Sequence, residues 1–212
     1  MMKNRIFLSA VLLFMCACVI SAQEVVFTDA SVFPVYGKVS DATDTRYERL
    51  PSELKGVSRD PVWYLGTNSA GLFIRFRSNS TSIHARWEST YNNSMTHMTD
   101  TGTKGLDLYA LVDGQWRHVS SAQPQGKTSE RKIIANMDPI ELEYMLYLSL
   151  YDGVSSLEIG VDAGATLDLP AVDRPSREKP IVMYSGREAA CRAVFGTWGF
   201  FRTMHGKTAP SC

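Results

Sequence analysis

The chain has 212 residues, and its 22 lysines and arginines are matched by 22 aspartates and glutamates. That balance, with no basic stripe, speaks against nucleic acid as a partner, because phosphate binding needs concentrated positive charge. A length near 200 residues suits one well-buried domain plus a tail.

Lys3 and Arg5 precede an apolar run over 6–20, followed by the small residues Ser21 and Ala22. This order of charge, apolar run and small residues is that of a secretory signal. The run is shorter than the roughly 20 residues that span a bilayer, so a signal over 1–22, cleaved near Ala22, is expected. It implies an exported protein, periplasmic or extracellular, with no membrane contact beyond the signal; a lipid-acceptor role for Cys18 is the lesser alternative. Of the 4 cysteines, Cys16 and Cys18 leave with the signal, and only Cys191 and Cys212 remain. The body therefore has no disulfide framework and too few thiols for a structural zinc site. No metal or cofactor is expected.

From there the dominant period is two. Short strands are predicted at 25–27 and 62–65. In 72–77 one face carries Leu72, Ile74 and Phe76; in 83–88 the inward set is Ile83, Ala85 and Trp87. Such alternation fits half-buried antiparallel strands, and the short polar linker 78–82 predicts a hairpin between them. Leu106, Leu108, Ala110 and Val112 alternate up to Asp113-Gly114, after which 115–119 returns. Asp-Gly tolerates the positive φ angles of a tight turn and marks a second hairpin. Further strands are predicted at 132–135, 144–150, 157–161, 166–169 and 181–184. Residues 171–180 are polar and proline-punctuated, as in a linker. Many short strands, frequent turns and no convincing amphipathic helix predict an all-β fold. It is an antiparallel two-sheet sandwich, jelly-roll-like rather than immunoglobulin-like, with a short irregular C-terminal tail.

The most distinctive stretch is a Thr-, Ser- and Gly-rich loop over 93–105 that feeds directly into a strand and ends in Gly105-Leu106-Asp107-Leu108-Tyr109. This stretch resembles the Gly-x-Asp-Leu-Tyr signature of the N-terminal module of SGNH hydrolase-type esterases. Met95, His97 and Met98, the pair Thr101-Gly102, and the blocks 145–154 and 157–161 are similar to the same module. Residues 179–184 resemble the strand that leads into the hydrolase domain. The resemblance covers roughly 25–184. It implies a β-sandwich of 23–170 that stands before an α/β catalytic domain, with 171–184 as linker and entering strand. In that family a Gly-Thr-Ser-Ile segment then supplies the nucleophile. Here Tyr184 is followed by Ser185, Gly186, Arg187 and Glu188, with Arg187 in the serine's place. His205 is the one histidine after Ser185, and no acid follows Glu188. A serine needs a base within hydrogen-bond reach, so no catalytic residue is assigned. Residues 185–212 are also too few for a parallel sheet with its crossovers. A frameshift or truncation before the catalytic domain is the expectation.

Four residues are candidates for substrate or interdomain contact: His97, Asp107, Tyr109 and Trp116. His97 either shapes a partner's pocket or is a plain loop histidine. Asp107 is expected to hydrogen-bond the preceding loop. Tyr109 either meets a sugar ring or lies half-buried on the sandwich, and Trp116 is the surface tryptophan where Trp87 is core. Glu141 and Glu143 sit two apart near Asp138-Pro139; the two readings are a glycosidase acid pair and, the one favoured, plain surface charge. The resemblance implies a hydrolase domain as partner, missing here or on a separate chain, and acylated polysaccharide as the ligand class. The alternative is a free-standing carbohydrate-binding sandwich.

Overall fold

The structure is a computed structural model that describes residues 23–38 and 40–171. The expected signal, the strand expected at 181–184 and the tail 185–212 lie outside the described residues. Two antiparallel sheets form the body. The smaller is ordered β1 (Val25–Asp29), β9 (Val154–Asp162), β4 (Ile83–Ser89), β7 (Thr128–Ile134). The larger is ordered β2 (Val35–Tyr36), β3 (Phe73–Ser78), β8 (Leu142–Tyr147), β5 (Leu106–Val112), β6 (Gln115–Ala122). Two short helices, α1 (Asp60–Gly66) and α2 (Asp100–Lys104), sit in the connections.

The core follows from the period-two pattern. Ile74, Phe76, Leu106, Leu108 and Leu146 from the larger sheet meet Ile83, Ala85, Trp87, Leu157 and Ile159 from the smaller, all buried in one cluster. Each large apolar side chain so placed contributes about 1.5–3 kcal/mol relative to exposure. The Asp113-Gly114 hairpin forms as the sequence requires. Val112 pairs with Gln115, and Asp113 and Gly114 have φ of 53° and 70°, the double positive φ of a type I′ turn.

Three local expectations are overturned. First, β3 and β4 do not pair as a hairpin but lie in different sheets. An apolar face is satisfied equally by a neighbour in its own sheet or by the facing sheet, so alternation does not distinguish the two. The linker 78–82 decides it by crossing the sandwich around Asp162 of β9. The Asp162 carboxylate accepts from Thr81 N–H (2.9 Å), Thr81 Oγ1 (2.6 Å), Ser82 N–H (3.0 Å) and Ser82 Oγ (2.6 Å). The Asp162 N–H in turn donates to Ser80 Oγ at 2.9 Å. The serines that look like a solvent loop are there to satisfy a buried crossing.

Second, residues 62–65, expected as a strand, belong to helix α1. Pro61 sits in its first turn, where the missing N–H costs nothing, and a four-residue apolar run carries too little periodicity to separate helix from strand. Val62, Tyr64 and Leu65 are exposed on it. Third, 166–169 contributes only a bridge between Asp168 and Arg77, near the end of β3, whose other edge is paired along its whole length by β8.

Burial pushes the Asp162 carboxyl up, but the hydrogen bonds from Ser82, Thr81 and Ser80 outweigh it and bring the pKa down to about 2 from the ordinary 3.8. A folded pKa below the unfolded one stabilises the fold above the unfolded value and is lost as pH falls through the folded value. Urea unfolding at neutral pH is expected to show Asp162→Ala destabilised by about 2–4 kcal/mol. The stability gap between wild type and Asp162→Asn should narrow as pH is lowered from about 4 toward 2; a gap independent of pH would contradict the role given to the carboxylate.

Candidate functional site

Gly105 caps α2 and starts β5. Its N–H donates to Thr101 O at 3.1 Å, and its φ is −77°, so handedness does not demand glycine there. Space does: a Cβ at this position would lie 2.4 Å from Thr101 O and 2.7 Å from Ala122 O, both backbone atoms. The preceding carbonyl, Lys104 O, accepts from Trp87 Nε1 (3.1 Å) and Ser149 Oγ (3.2 Å). Leu106 and Leu108 then enter the core with no exposure. Asp107 and Tyr109 point to the opposite face. Asp107 accepts from Ser121 Oγ of β6 at 2.6 Å, which ties it to the neighbouring strand.

The loop upstream is fixed by two buried charged residues. The Asp152 carboxylate accepts from Tyr91 N–H (2.9 Å) and Asn93 N–H (2.6 Å). The Lys104 side chain is 3% exposed and pairs with Asp100 at 3.2 Å; its Nζ also donates to Asn92 Oδ1 at 2.7 Å and contacts Ser94 Oγ at 3.4 Å. Hydrogen bonds from Ser94 and Lys104 hold the Asp100 carboxyl below its ordinary range. Thr96 and His97 form the tip of a tight turn closed by a bridge between Met95 and Met98, and His97 is exposed. Sequence reasoning singled out His97 but missed Lys104 and Asp152. A lysine beside a helix end and an aspartate before glycine look like ordinary surface and turn residues.

The outer face of the larger sheet carries Tyr109 and Trp116 and is aromatic across all five strands. Tyr36 stacks on Phe73 (centroids 5.4 Å apart), Phe73 meets Tyr147 (4.9 Å), Tyr147 meets Tyr109 edge-to-face (5.6 Å), and Tyr109 meets His118 edge-to-face (5.3 Å). Burial pushes the Tyr147 phenol far above its ordinary value. The Arg75 guanidinium lies 5.5 Å from the Tyr36 ring and 5.7 Å from the Trp116 ring. It pairs with Glu143, and the two side chains are only 4% and 10% exposed. Glu141 pairs with Arg77 at 2.8 Å. The acids spaced two apart are thus both engaged by arginines of β3.

Serine, histidine and aspartate come together twice. Ser121 Oγ donates to Asp107 and lies 3.2 Å from His118 Nε2. Ser82 Oγ donates to Asp162 at 2.6 Å and lies 3.1 Å from His84 Nε2. In both groups the hydroxyl is the middle member. A hydrolytic triad places imidazole in the middle, so that it takes the hydroxyl proton while the carboxylate orients it. Here each hydroxyl proton is already given to a carboxylate, which leaves neither serine activated. Two shallow clefts, of about 260 and 250 Å3, are lined by 120–123 with 131–133 and by Pro34, Val35, Lys38, Asp41 and Arg46; neither contains such a triad. Among the described residues no group of three or more His, Cys, Asp or Glu side chains is placed to hold a metal ion. Ser185 and His205 lie outside the described residues.

Replacing Lys104 by Met removes the ammonium that gathers Asn92, Ser94 and Asp100. Amide exchange over 92–98 is expected to quicken by about tenfold in Lys104→Met while the β5 and β8 amides stay as slow as in wild type; unchanged exchange in the loop would show that Asp152 alone holds it.

The family described as "GxDLY: N-terminus of Esterase_SGNH_hydro-type" matches residues 25–167. Among solved structures, a putative GDSL-like lipase from Bacteroides ovatus is 35% identical with a TM-score of 0.66, over 69% of this chain and 43% of that one. The salicylyl-acyltransferase SsfX3 from a tetracycline biosynthetic pathway shares the fold at 17% identity and a TM-score of 0.50, over 73% of this chain and 44% of that one. The similarity thus spans less than half the length of either solved protein. No curated protein matches the chain. With the motif and its sandwich both in place, the chain belongs to the GxDLY family of N-terminal modules of SGNH hydrolase-type esterases.

Proposed function

We propose that this chain serves as a non-catalytic accessory module of an exported SGNH hydrolase-type esterase acting on acylated carbohydrate. Its sandwich packs on a hydrolase domain, and the rigid turn bearing His97 helps to wall that domain's active site. The observation that carries this reading is the order of the two serine groups: both hydroxyls donate to carboxylates, at 2.6 Å each, instead of to imidazoles. The basic and apolar order of residues 1–22 supports export. A free-standing sugar-binding role is disfavoured by the aromatic candidates themselves. Tyr109 is engaged edge-to-face by Tyr147 and His118, and Trp116 lies against Arg75; a pyranose platform needs a flat aromatic face.

The full-length chain is expected to show no p-nitrophenyl acetate hydrolysis above buffer. Turnover that disappears in Ser121→Ala or Ser82→Ala would contradict the proposal. Calorimetric binding to xylan or pectin, weakened by Trp116→Ala, would favour the sugar-binding role in its place.

A further inference from the structure

Helix α1 is folded inside out. Its buried residue is Gly66, where an added Cβ would run into the Leu50 side chain. Its apolar side chains turn outward instead: Val62 is 42%, Tyr64 43% and Leu65 47% exposed. Tyr91, from the loop after β4, joins them at 40% exposed, its ring centroid 4.9 Å from that of Tyr64. Single apolar residues on a surface need no explanation, whereas contiguous ones mark an interaction site.

The polar atoms of this patch are satisfied within the chain. Tyr91 Oη donates to Thr67 Oγ1 at 2.7 Å, and Thr67 Oγ1 donates onward to Tyr64 O at 2.7 Å. Tyr64 Oη donates to Asn93 Oδ1 at 3.2 Å, and Asn93 Nδ2 donates to Tyr151 O at 3.0 Å. The two rings are thus held in place before any partner arrives, which spares the cost of ordering them on binding. A partner needs neither charge nor hydrogen-bonding groups here; it needs apolar atoms that fit against the rings and Leu65.

Two observations say what covers the patch. The first is its place: Asn93 fastens Tyr64 to the loop that continues into the exposed turn bearing His97. The second is the path of the chain. β3 starts at this end of the sandwich, where Ser69 N–H donates to Asp152 O at 3.0 Å, and runs away from it. Arg77 and Asp168 exchange backbone hydrogen bonds of 2.8 and 2.9 Å in an antiparallel bridge. The sandwich therefore sends its outgoing chain back along β3, toward the patch. In the GDSL-like lipase, more than half of the chain lies outside the part that matches this sandwich.

We infer that Val62, Tyr64, Leu65 and Tyr91 form the surface on which an SGNH hydrolase domain docks. The inference rests on the accessory-module reading and specifies its interface. The hydrolase domain sits on the end of the sandwich that carries α1 and the His97 turn, and not on either outer sheet face.

The test uses a chimera in which residues 25–167, whose two sheets close their own core, replace the matching part of the Bacteroides ovatus GDSL-like lipase. The photo-reactive amino acid p-benzoylphenylalanine is placed at Tyr91 and, in a separate chimera, at Leu65, so that the test does not depend on one site folding. Two comparison positions are Ile140, 56% exposed and apolar but at the opposite end of the sandwich, and Glu130 on the smaller sheet. The unsubstituted chimera is expected to hydrolyse p-nitrophenyl acetate within about tenfold of the lipase's own rate. No hydrolysis would overturn the accessory-module reading and this inference with it. In an active chimera, positions 91 and 65 are expected to cross-link into the hydrolase part at least about tenfold more than positions 140 and 130. Cross-links mainly from 140 or 130, or from 91 and 65 only to a second copy of the chimera, would overturn the docking surface and leave the accessory role standing.

Discussion

The close approach of two backbone carbonyls to the α-carbon of Gly105 is the constraint on which the rest of the architecture depends. Thr101 O belongs to the turn of α2 and Ala122 O to the end of β6, so a single residue without a side chain draws a helix, a strand start and a strand end into one point. With that point fixed, Lys104 O faces inward and binds the indole N–H of Trp87 from the opposite sheet. Leu106 and Leu108 fill the core, and Asp107 and Tyr109 are delivered to the outer face. The Gly-Leu-Asp-Leu-Tyr stretch is in this sense an architectural device. Its glycine makes room, its leucines pack, its aspartate ties β5 to β6 and its tyrosine joins the aromatic face.

The chemistry of the charged groups supports the same view. Asp162 and Asp152 are buried carboxylates whose acceptor capacity is spent on the chain crossing at 78–82 and on the 90–93 loop. Lys104 is a buried ammonium spent on Asn92, Ser94 and Asp100. Buried charges are tolerated only when they are hydrogen-bonded or paired, and here that saturation leaves them as fasteners. Among the surfaces they position is the exposed tight turn that carries His97.

Much of this was legible in the sequence, and the exceptions have a common cause. Period-two alternation located β3, β4, β5 and β9, Asp113-Gly114 located the one hairpin with a decisive turn, and Trp87 was placed in the core from the residues that share its face. Alternation reports which face is buried, however, and not which strand lies beside it. The crossing of β3 to β4 between sheets therefore escaped, since it depends on Asp162, eighty residues away in the chain. Helix α1 escaped because Val62 and Leu65 are exposed on it and leave no apolar stripe to recognise. Lys104 and Asp152 escaped because nothing local distinguishes a buried, fully paired charge from a solvated one. The aromatic face was visible only as separate residues, Tyr109 and Trp116, until strand register brought Tyr36, Phe73, Tyr147 and His118 beside them.

The claim that the signature glycine is required for space and not for backbone freedom is tested most directly by Gly105→Ala. The substitution leaves φ permissible for alanine and changes only whether a methyl group fits. Urea unfolding is predicted to show a loss of about 1–3 kcal/mol, the cost of forcing a carbon against two carbonyl oxygens. A stability equal to or above that of wild type would contradict the account.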